Sequence, residues 1–437
     1  MPVRDEDLRP GGPWPLGINN VAGEGALPTD DDGIPRALRE ADNVDLDAAG
    51  RPQRRRGHQR FHPGALTHSL WGHELLQYGL FVDGGQLHAL HEDERVEPLG
   101  IEVGLAPLSY ALIGDRVFFS NSTASGFLDI DLQGHPWAPE HPAGQPVLVP
   151  AAGSALAPGQ YQVAVTFLDR LGRESGSTLA AAIDVAEGGG LELTDIPLPL
   201  APGTVSAAIY ISGPNDQVMR QYAILPAGTR SAPVLSPGEG RALTTQFLRP
   251  LPAGHIVRGG HGRQFVASGQ EVLWSEALRY GLFRPSANRM RFNAPIDLME
   301  PIGDGSPDGA GLYVAAGART YWYAGADPKD FSQTVARGSG AVPGSAVVVN
   351  GDVIGLQSAA PVLIWLARDG YFCIGLPGGQ VQVLKKGEAV IDDADHAAVL
   401  LRQQDGLSQL VAALRAPQGQ SLAVTDRAVA HVIHRDP

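Results

Sequence analysis

From Gly57 onward, apolar and polar residues alternate in short runs that are separated by Gly, Asp or Asn. The run "YGLFVDGGQLHALHEDERVEPLG" predicts two strands joined at Asp83-Gly84-Gly85, a charged turn and a third strand. The run "LSYALIGDRVFFSNS" has the same pattern around Gly114-Asp115. Alternation with period two and tight turns predicts antiparallel hairpins throughout this region.

Further hairpins follow from residue 263 to the end, as in "RQFVASGQEVLWSEA" and "VLIWLARDGYFCIGLPGGQVQVLKKG". A multi-stranded unit every 40 to 50 residues or so is typical of propeller blades. The run "HAAVLLRQQDGLSQLVAAL" also fits a helix, but its central Asp405-Gly406 favours a hairpin. We therefore expect an all-β chain with a β-propeller-like body.

Two segments of this body are similar. "SLWGHELLQYGLF" ends at Phe81, and "VLWSEALRYGLF" ends at Phe283. The similarity predicts equivalent strands in two blades, and the alternative is coincidence in a chain rich in these residue types. The predicted shared core positions are Trp71, Tyr78, Phe81, Trp274, Tyr280 and Phe283.

Residues 144–240 interrupt the blade pattern, which covers 57–143 before them and 241–437 after them. Tyr161, Val163, Val165 and Phe167 alternate along one strand, and the length suits an inserted immunoglobulin-like β-sandwich. The segments "GQYQVAVTFLDRLGRES" and "AAIYIS" resemble a fibronectin type III domain. Such a fold by itself assigns no activity.

Residues 1–56 contain few large apolar side chains, several Pro and Gly, an acidic run at Asp30 to Asp32 and a basic run at Arg54 to Arg56. A segment of this composition buries too little apolar surface to fold alone. We expect an extended N-terminal docking arm that lies on another surface. The basic run is a candidate contact for nucleic acid or an acidic partner, and a solvated loop is the alternative.

The 437 residues carry a net charge of −14 and include 55 Gly, 35 Pro and a single cysteine, Cys373. Such a charge argues against a protein that grips nucleic acid by neutralising phosphates, but not against a surface past which DNA slides. One cysteine excludes an internal disulfide. No apolar run approaches the length of a membrane span and no apolar leader precedes the arm, so we expect a soluble protein made in a cytoplasm.

Two pairs of histidines have spacings that also occur in metal sites. His58 and His62 are four apart, and His88 and His91 are three apart, but these spacings bring two rings together only on a helix. The local pattern is strand and turn, so surface or sheet-edge histidines are the better interpretation. The run Asp30 to Asp32 lacks the distal Glu of a calcium loop.

No pattern indicates catalysis. "VRGGHGRQFVA" lacks the Gly-Lys-Ser/Thr ending of a phosphate-binding loop, no Gly-x-Ser-x-Gly elbow occurs, and the Ser-x-Asp-x-Gly-x-Thr-Trp box of sialidase propellers is absent. We expect no catalytic, cofactor or metal site. A glycan-active propeller enzyme is the least favoured hypothesis.

The N-terminal phrase "GINNVAG…LPTDDDGIPRALREADNVDLDAAGRPQRRRG" resembles the opening of tail nozzle (tail tubular protein B-like) proteins of short-tailed bacteriophages. The matching positions are Gly17 to Asn20, Arg39 to Leu46, Gly50 and Arg54 to Gly57. The later "GHIVRGGHGRQFVASGQEVLWSEALRYGLF" is similar to the recurring blade of the same proteins. Together these matches cover most of the chain outside residues 144–240.

This resemblance implies a virion structural protein in the phage tail, assembled in the host cytoplasm. Its subunits would form a sixfold homo-oligomeric ring below the portal and adaptor proteins, continue the DNA channel, and retain and then release the genome. Double-stranded DNA would pass without specific binding. The residues expected to dock the arm on portal, adaptor or other tail proteins are Asn19, Asn20, Arg39, Asn43, Asp45, Arg54, Arg55 and Arg56.

A second hypothesis is a phage receptor-binding or host-surface adhesion protein. In that case the propeller is a scaffold, and the sandwich loops at Gly172 to Ser175 and Pro214 to Gln217 make the contacts. These loops are polar and small, whereas an adhesin is expected to expose aromatic side chains.

Overall fold

The computed structural model describes residues 13–23, 26–39, 44–47, 50–54, 62–64, 66–152, 156–201, 203–391, 394–404, 407–415 and 428–433. The chain divides into two units. The central unit comprises residues 64–291, and the terminal unit combines residues 1–63 with 292–437. Small antiparallel sheets make up both units, so the predicted all-β, propeller-like fold class is confirmed.

In the described part of the arm, β1 (Val44–Leu46) pairs with β2 (Pro52–Arg54) as a hairpin. The Asp47 carboxylate accepts a hydrogen bond from the Arg51 amide at 2.8 Å and closes the turn. Gly50 lies in this turn at φ +74°, and a Cβ there would be 2.5 Å from the Trp14 carbonyl carbon. Only glycine fits both the conformation and the space.

The central unit begins with two four-stranded meanders. The Asp83-Gly84-Gly85 turn has both glycines at positive φ, as the predicted hairpin requires. Leu80, Val82 and Leu87 face a core that Val117 and Leu128 of the second sheet complete. The first sheet is β3 (His68–Gly72), β4 (Tyr78–Asp83), β5 (Gln86–His91) and β6 (Val96–Glu102), and the second is β7 (Ser109–Ile113), β8 (Arg116–Ser120), β9 (Ser125–Leu128) and β10 (Gly134–His135).

Two sheets with a common core follow. One has the order β11-β14-β17 and the other β13-β12-β15-β16. Tyr161, Val165 and Phe167 of the second sheet pack with Leu191 and Leu193 of the first, as in a β-sandwich. The kinship with fibronectin type III domains stays a prediction. The strands are β11 (Val147–Ala152), β12 (Gly159–Asp169), β13 (Ala181–Val185), β14 (Gly189–Thr194), β15 (Thr204–Ser212), β16 (Met219–Pro226) and β17 (Ala232–Val234).

The central unit ends with its fourth four-stranded sheet, β19-β20-β21-β23, and a two-stranded sheet, β18-β22. In the first of these, β23 pairs with β21 alone among the described strands and is an edge strand. The strands are β18 (Arg249–Pro250), β19 (Ile256–Gly260), β20 (Arg263–Ser268), β21 (Glu271–Trp274), β22 (Leu282–Phe283) and β23 (Arg289–Arg291).

The predicted equivalence of the two "YGLF" segments is wrong. Tyr78 and Phe81 lie on β4, the second strand of a four-stranded sheet, and Trp71 lies on the first. Trp274 lies instead on the third strand of its sheet.

Tyr280 lies in a turn, and Phe283 lies on β22, outside the four-stranded sheet. The reason is local. The Glu276 amide donates a hydrogen bond to the Leu282 carbonyl, and Gly281 adopts φ +86°. The chain therefore turns in the second segment, whereas the matching residues of the first segment form a strand.

Besides the arm hairpin, the described residues of the terminal unit form two four-stranded sheets and a three-stranded sheet. The predicted hairpin near residue 405 is confirmed, because β32 and β33 pair antiparallel. The strands are β24 (Ile296–Ile302), β25 (Gly311–Ala316), β26 (Arg319–Ala324), β27 (Ser332–Arg337), β28 (Val347–Asn350), β29 (Pro361–Leu366), β30 (Phe372–Gly375), β31 (Val381–Val383), β32 (His396–Gln404), β33 (Leu407–Arg415) and β34 (Ala428–Ile433), with 3-10 helices at Pro328–Asp330 and Gly351–Ile354.

Aromatic rings fill the core between the first two of these sheets. Tyr313 packs against Trp322 with ring centroids 4.6 Å apart and against Trp365 at 5.9 Å. The Tyr313 hydroxyl donates a hydrogen bond to the Leu376 carbonyl at 2.7 Å, so burying it leaves no unpaired donor. A Cβ on Gly379 would be 2.4 Å from Trp322, so this glycine admits the indole.

Candidate docking site of the N-terminal arm

The described part of the arm pairs with itself along two segments. The Asn19 amide donates to the Leu38 carbonyl at 2.7 Å, and the Leu38 amide donates to the Gly17 carbonyl at 2.8 Å. Ile18 and Leu38 thereby form a parallel bridge. The arm thus has backbone order of its own without a large apolar core.

Asn19, a predicted docking residue, is buried with 7% of its surface exposed. Its side-chain oxygen accepts a hydrogen bond from the Ala22 amide at 3.0 Å. This is the local turn contact that Asn side chains favour. Asn19 therefore shapes the turn from which Asn20 projects.

Asn20 joins the arm to the C-terminal part of the same unit. Its side-chain amide donates to the Val390 carbonyl at 2.7 Å, and its side-chain oxygen accepts from the Val390 amide at 2.9 Å. Its own backbone amide donates to the Glu388 carbonyl at 2.9 Å. The carboxamide matches the donor and acceptor of a peptide unit, so it pairs with backbone as a strand would.

Lys385 makes a further contact with the arm. Its ammonium group donates to the Leu16 carbonyl at 2.5 Å and lies 3.5 Å from the Glu388 carboxylate. The Lys385 ammonium group has three N–H donors, so it can bond the Leu16 carbonyl and the Glu388 carboxylate at the same time. Residues 385–390 are thus the principal surface against which residues 16–20 lie.

Asp45 makes the second connection. Its carboxylate lies 3.1 Å from the Arg402 guanidinium on β32. Arg402 also donates from its Nε to the Gln409 side-chain oxygen at 2.9 Å, which fixes the guanidinium on the sheet. Arg39 and Arg54 are exposed, and the predicted residues Asn43, Arg55 and Arg56 lie outside the described residues.

These contacts place the described arm residues on their own chain. Lys385, Glu388, Val390 and Arg402 complete the site, and sequence reasoning missed them. Most of them contribute backbone groups or long polar side chains, for which no residue pattern exists. The docking of the arm on other tail proteins stays a prediction.

The other sequence candidates have structural roles. The Asp30 carboxylate accepts from the Ile34 amide at 2.8 Å and forms a local turn. His88 stacks on Phe81, and His91 lies 2.9 Å from the Glu97 carboxylate. Within the described ranges, no group of three or more His, Cys, Asp or Glu side chains has the arrangement of a metal site.

One of the two proposed sandwich loops is held inside the central unit. Ser175 is fully buried. The Arg173 guanidinium donates to the Trp137 carbonyl at 2.8 Å and lies 4.8 Å from the centre of the Phe127 ring. The Pro214 to Gln217 loop, in contrast, is exposed along its whole length.

Glu174 of the same loop belongs to a polar network that runs from the buried Tyr210 and Thr166 to the exposed Arg241. Its carboxylate accepts from the Tyr210 hydroxyl at 2.6 Å and from the Thr166 hydroxyl at 2.7 Å, and it pairs with Arg241 at 3.0 Å. Burial raises the pKa of Tyr210, and its hydrogen bond to Glu174 raises it further. The phenol therefore stays protonated as a donor, and the network stabilises the fold.

Comparisons with known proteins assign no family. No family model matches the chain, and neither does any curated protein. Among the described residues, no helix has the length and apolar character needed to cross a bilayer.

Several solved structures are distantly similar. AztD from Citrobacter koseri, in its apo form, is 10% identical, with 85% of this chain and 90% of that chain covered and a TM-score of 0.35. BBS1N in complex with ARL6DN is 11% identical, with 82% and 94% covered and a TM-score of 0.31. Porphyromonas gingivalis dipeptidyl peptidase 4 is 8% identical, with 90% and 51% covered and a TM-score of 0.27. Likenesses this distant carry no argument about function.

Proposed function

We propose that this chain is a structural subunit of a phage tail nozzle. In this role it forms a homo-oligomeric ring below the portal and adaptor, continues the DNA channel, and retains and then releases the genome. The chain has no enzymatic role in this proposal, and it acts mechanically in the virion.

The observation that carries the proposal is the N-terminal phrase. Gly17, Asn20 and Asp45 belong to the motif that resembles nozzle openings. The side chain of Asn20 also attaches the arm to Val390, and that of Asp45 attaches it to Arg402 on β32. A motif whose side chains hold backbone and a neighbouring guanidinium in place suits a structural subunit better than an enzyme.

The net charge of −14 supports the same role. Phosphate-binding proteins gain affinity by neutralising DNA charge with Lys and Arg. A conduit must let a duplex pass without stalling, and an acidic wall repels phosphate. The charge therefore favours a channel lining over a nucleic-acid clamp.

Of the two loops that the adhesion hypothesis requires for contacts, one is exposed along its whole length. The exposed Pro214 to Gln217 loop remains accessible, but the Gly172 to Ser175 loop ends in the buried Ser175 and contains the anchored Arg173. Two recognition loops are thus reduced to one short polar loop. This observation favours the nozzle.

The experiment that separates the two roles removes the chain from the particle. Phage made from a genome with this reading frame deleted should fill their heads with DNA and then lose it, measured as packaged DNA that becomes sensitive to nuclease. Adsorption to cells provides the second assay. Particles that keep nuclease-resistant DNA but fail to adsorb would overturn the nozzle proposal in favour of adhesion.

A further inference from the structure

Basic charge is concentrated in one part of the central unit. Residues 241–291 contain two acidic residues and no lysine, although the whole chain has a net charge of −14. The basic residues of this part are the arginines Arg241, Arg249, Arg258, Arg263, Arg279, Arg284, Arg289 and Arg291.

Several of these arginines are engaged inside the unit. Arg241 pairs with Glu174 at 3.0 Å, and Arg284 lies 3.9 Å from Glu276. Arg258 donates to the Ser109 hydroxyl, and Arg279 donates to the Thr244 hydroxyl at 2.6 Å. Arg241 and Arg284 thus have carboxylate partners, whereas the hydroxyl groups hold Arg258 and Arg279 in place without neutralising them.

Arg289 and Arg291, the β23 arginines, differ from this group. Both are exposed on the edge strand β23, and they are two residues apart, so their side chains point to the same face of the sheet. Neither has an ion-pair partner in the described part of the chain. On this face Arg291 lies opposite Glu271 and Arg289 lies opposite Leu273, so two guanidinium groups and one carboxylate leave a net positive edge suited to an acidic partner.

The sandwich of the same unit has the opposite charge. Residues 174–219 include six acidic residues and no Lys, Arg or His. Asp184 on the edge strand β13, Glu187 in the following turn and Asp195 after β14 are exposed, and Glu192 is half-buried. We call residues 184–195 the acidic segment, and its carboxylates have no ion-pair partner among the described residues.

We propose that the β23 arginines of one copy bind the acidic segment of a second copy of this chain. The inference rests on the proposed function, which requires a ring. Copies that each carry a charge of −14 repel one another unless opposite charges meet at the contact. Two different complementary surfaces on one chain make a head-to-tail interface, and such an interface gives a ring when the rotation between successive copies closes.

Duplex DNA fits these observations less well as the partner. Proteins that bind DNA neutralise many phosphates, whereas the β23 edge offers two exposed arginines on a strongly acidic chain. DNA would also leave the acidic segment without a role. A second copy accounts for both surfaces.

The test uses charge reversal in the full chain and sedimentation velocity. R289E/R291E is expected to weaken self-association about ten-fold or more at low salt, because attraction between the two surfaces becomes repulsion. D184R/E187R should do the same. The control R319E/K329E reverses two exposed basic residues of the terminal unit and makes the same change in net charge, so it should associate as the unaltered chain does.

Mixing provides the decisive readout. An equimolar mixture of R289E/R291E and D184R/E187R restores opposite charges at every contact of a ring with alternating copies, so association should return. Recovery also shows that both variants are folded. Raising the salt from about 50 mM to about 500 mM should weaken the association of the unaltered chain, because added salt shortens the Debye length and screens the charges at the interface.

Three results would overturn the inference. One is R289E/R291E associating like the control, and another is a mixture that stays dissociated. The third is binding of a short DNA duplex by the unaltered chain that R289E/R291E loses while its self-association is unchanged. Rings formed by R289E/R291E would refute this interface and leave the nozzle proposal standing, whereas the absence of any ring from the unaltered chain would count against both.

Discussion

The attachment of the arm through Asn20 makes a quantitative prediction. Replacing Asn20 with Ala removes the bond to the Val390 carbonyl at 2.7 Å and the bond from the Val390 amide at 2.9 Å. The backbone bond from residue 20 to the Glu388 carbonyl is chemically unaffected. That bond therefore reports whether the arm still lies on residues 385–390.

A typical hydrogen bond contributes about 0.5–1.5 kcal/mol net to stability. Asn20 is exposed, so water replaces part of the lost bonding, and the lower end of this range applies to each bond. Two such bonds give about 1 kcal/mol for the attachment of the arm. Because RT is about 0.59 kcal/mol, local opening of the arm should become roughly five-fold more frequent.

Hydrogen exchange of the backbone amide at residue 20, resolved by fragmentation in the mass spectrometer, measures this opening. Asn20→Ala should exchange there about five-fold faster, while the Leu363 amide in the sheet core is unchanged. Asn293→Ala, which replaces an exposed asparagine elsewhere in the terminal unit, is the matched control. Equal exchange at residue 20 in both variants would refute the attachment of the arm through Asn20.

Three further predictions concern the folded chain. A Cβ on Gly176 would lie 1.8 Å from the Leu248 carbonyl oxygen, so Gly176→Ala should lower the free energy of unfolding in urea by about 1–3 kcal/mol. Gly144 has open space around it, so Gly144→Ala should change this free energy little. Equal effects of the two substitutions would contradict the packing at Gly176. Burial raises the pKa of Cys373 from 9.0 to about 12, so a thiol reagent at about pH 8 should label the chain only in denaturant; labelling of the native chain would contradict that burial. Because the unfolded thiol ionises at lower pH than the folded one, Cys373 should also make stability fall as pH rises above about 9, and Cys373→Ala should flatten this fall in urea titrations.

Turn chemistry made parts of the fold predictable. Gly84 and Gly85 predict a hairpin, because few other residues tolerate their positive φ. The alternation at Tyr161, Val165 and Phe167 predicts a strand with one buried face. These signals are local, so they can be recognised in a single chain.

Two features of the structure were not predicted from the sequence, the turn in the second "YGLF" run and the surface against which the arm lies. The second "YGLF" run looks like a strand, but hydrogen bonds around Glu276 and the conformation of Gly281 turn the chain there. The site on residues 385–390 is made largely of backbone carbonyl and amide groups, which every residue possesses. A local turn decided the first case, and long-range contacts decided the second, of which sequence spacing contains no record.

The central claim is that this chain forms a ring around a DNA channel. Electron microscopy of the intact particle, reconstructed about the tail axis without imposed symmetry, tests it most directly. The proposal predicts a sixfold ring of this chain below the adaptor with a pore wide enough for a duplex. Isolated or trimeric copies projecting from the periphery of the tail would contradict it.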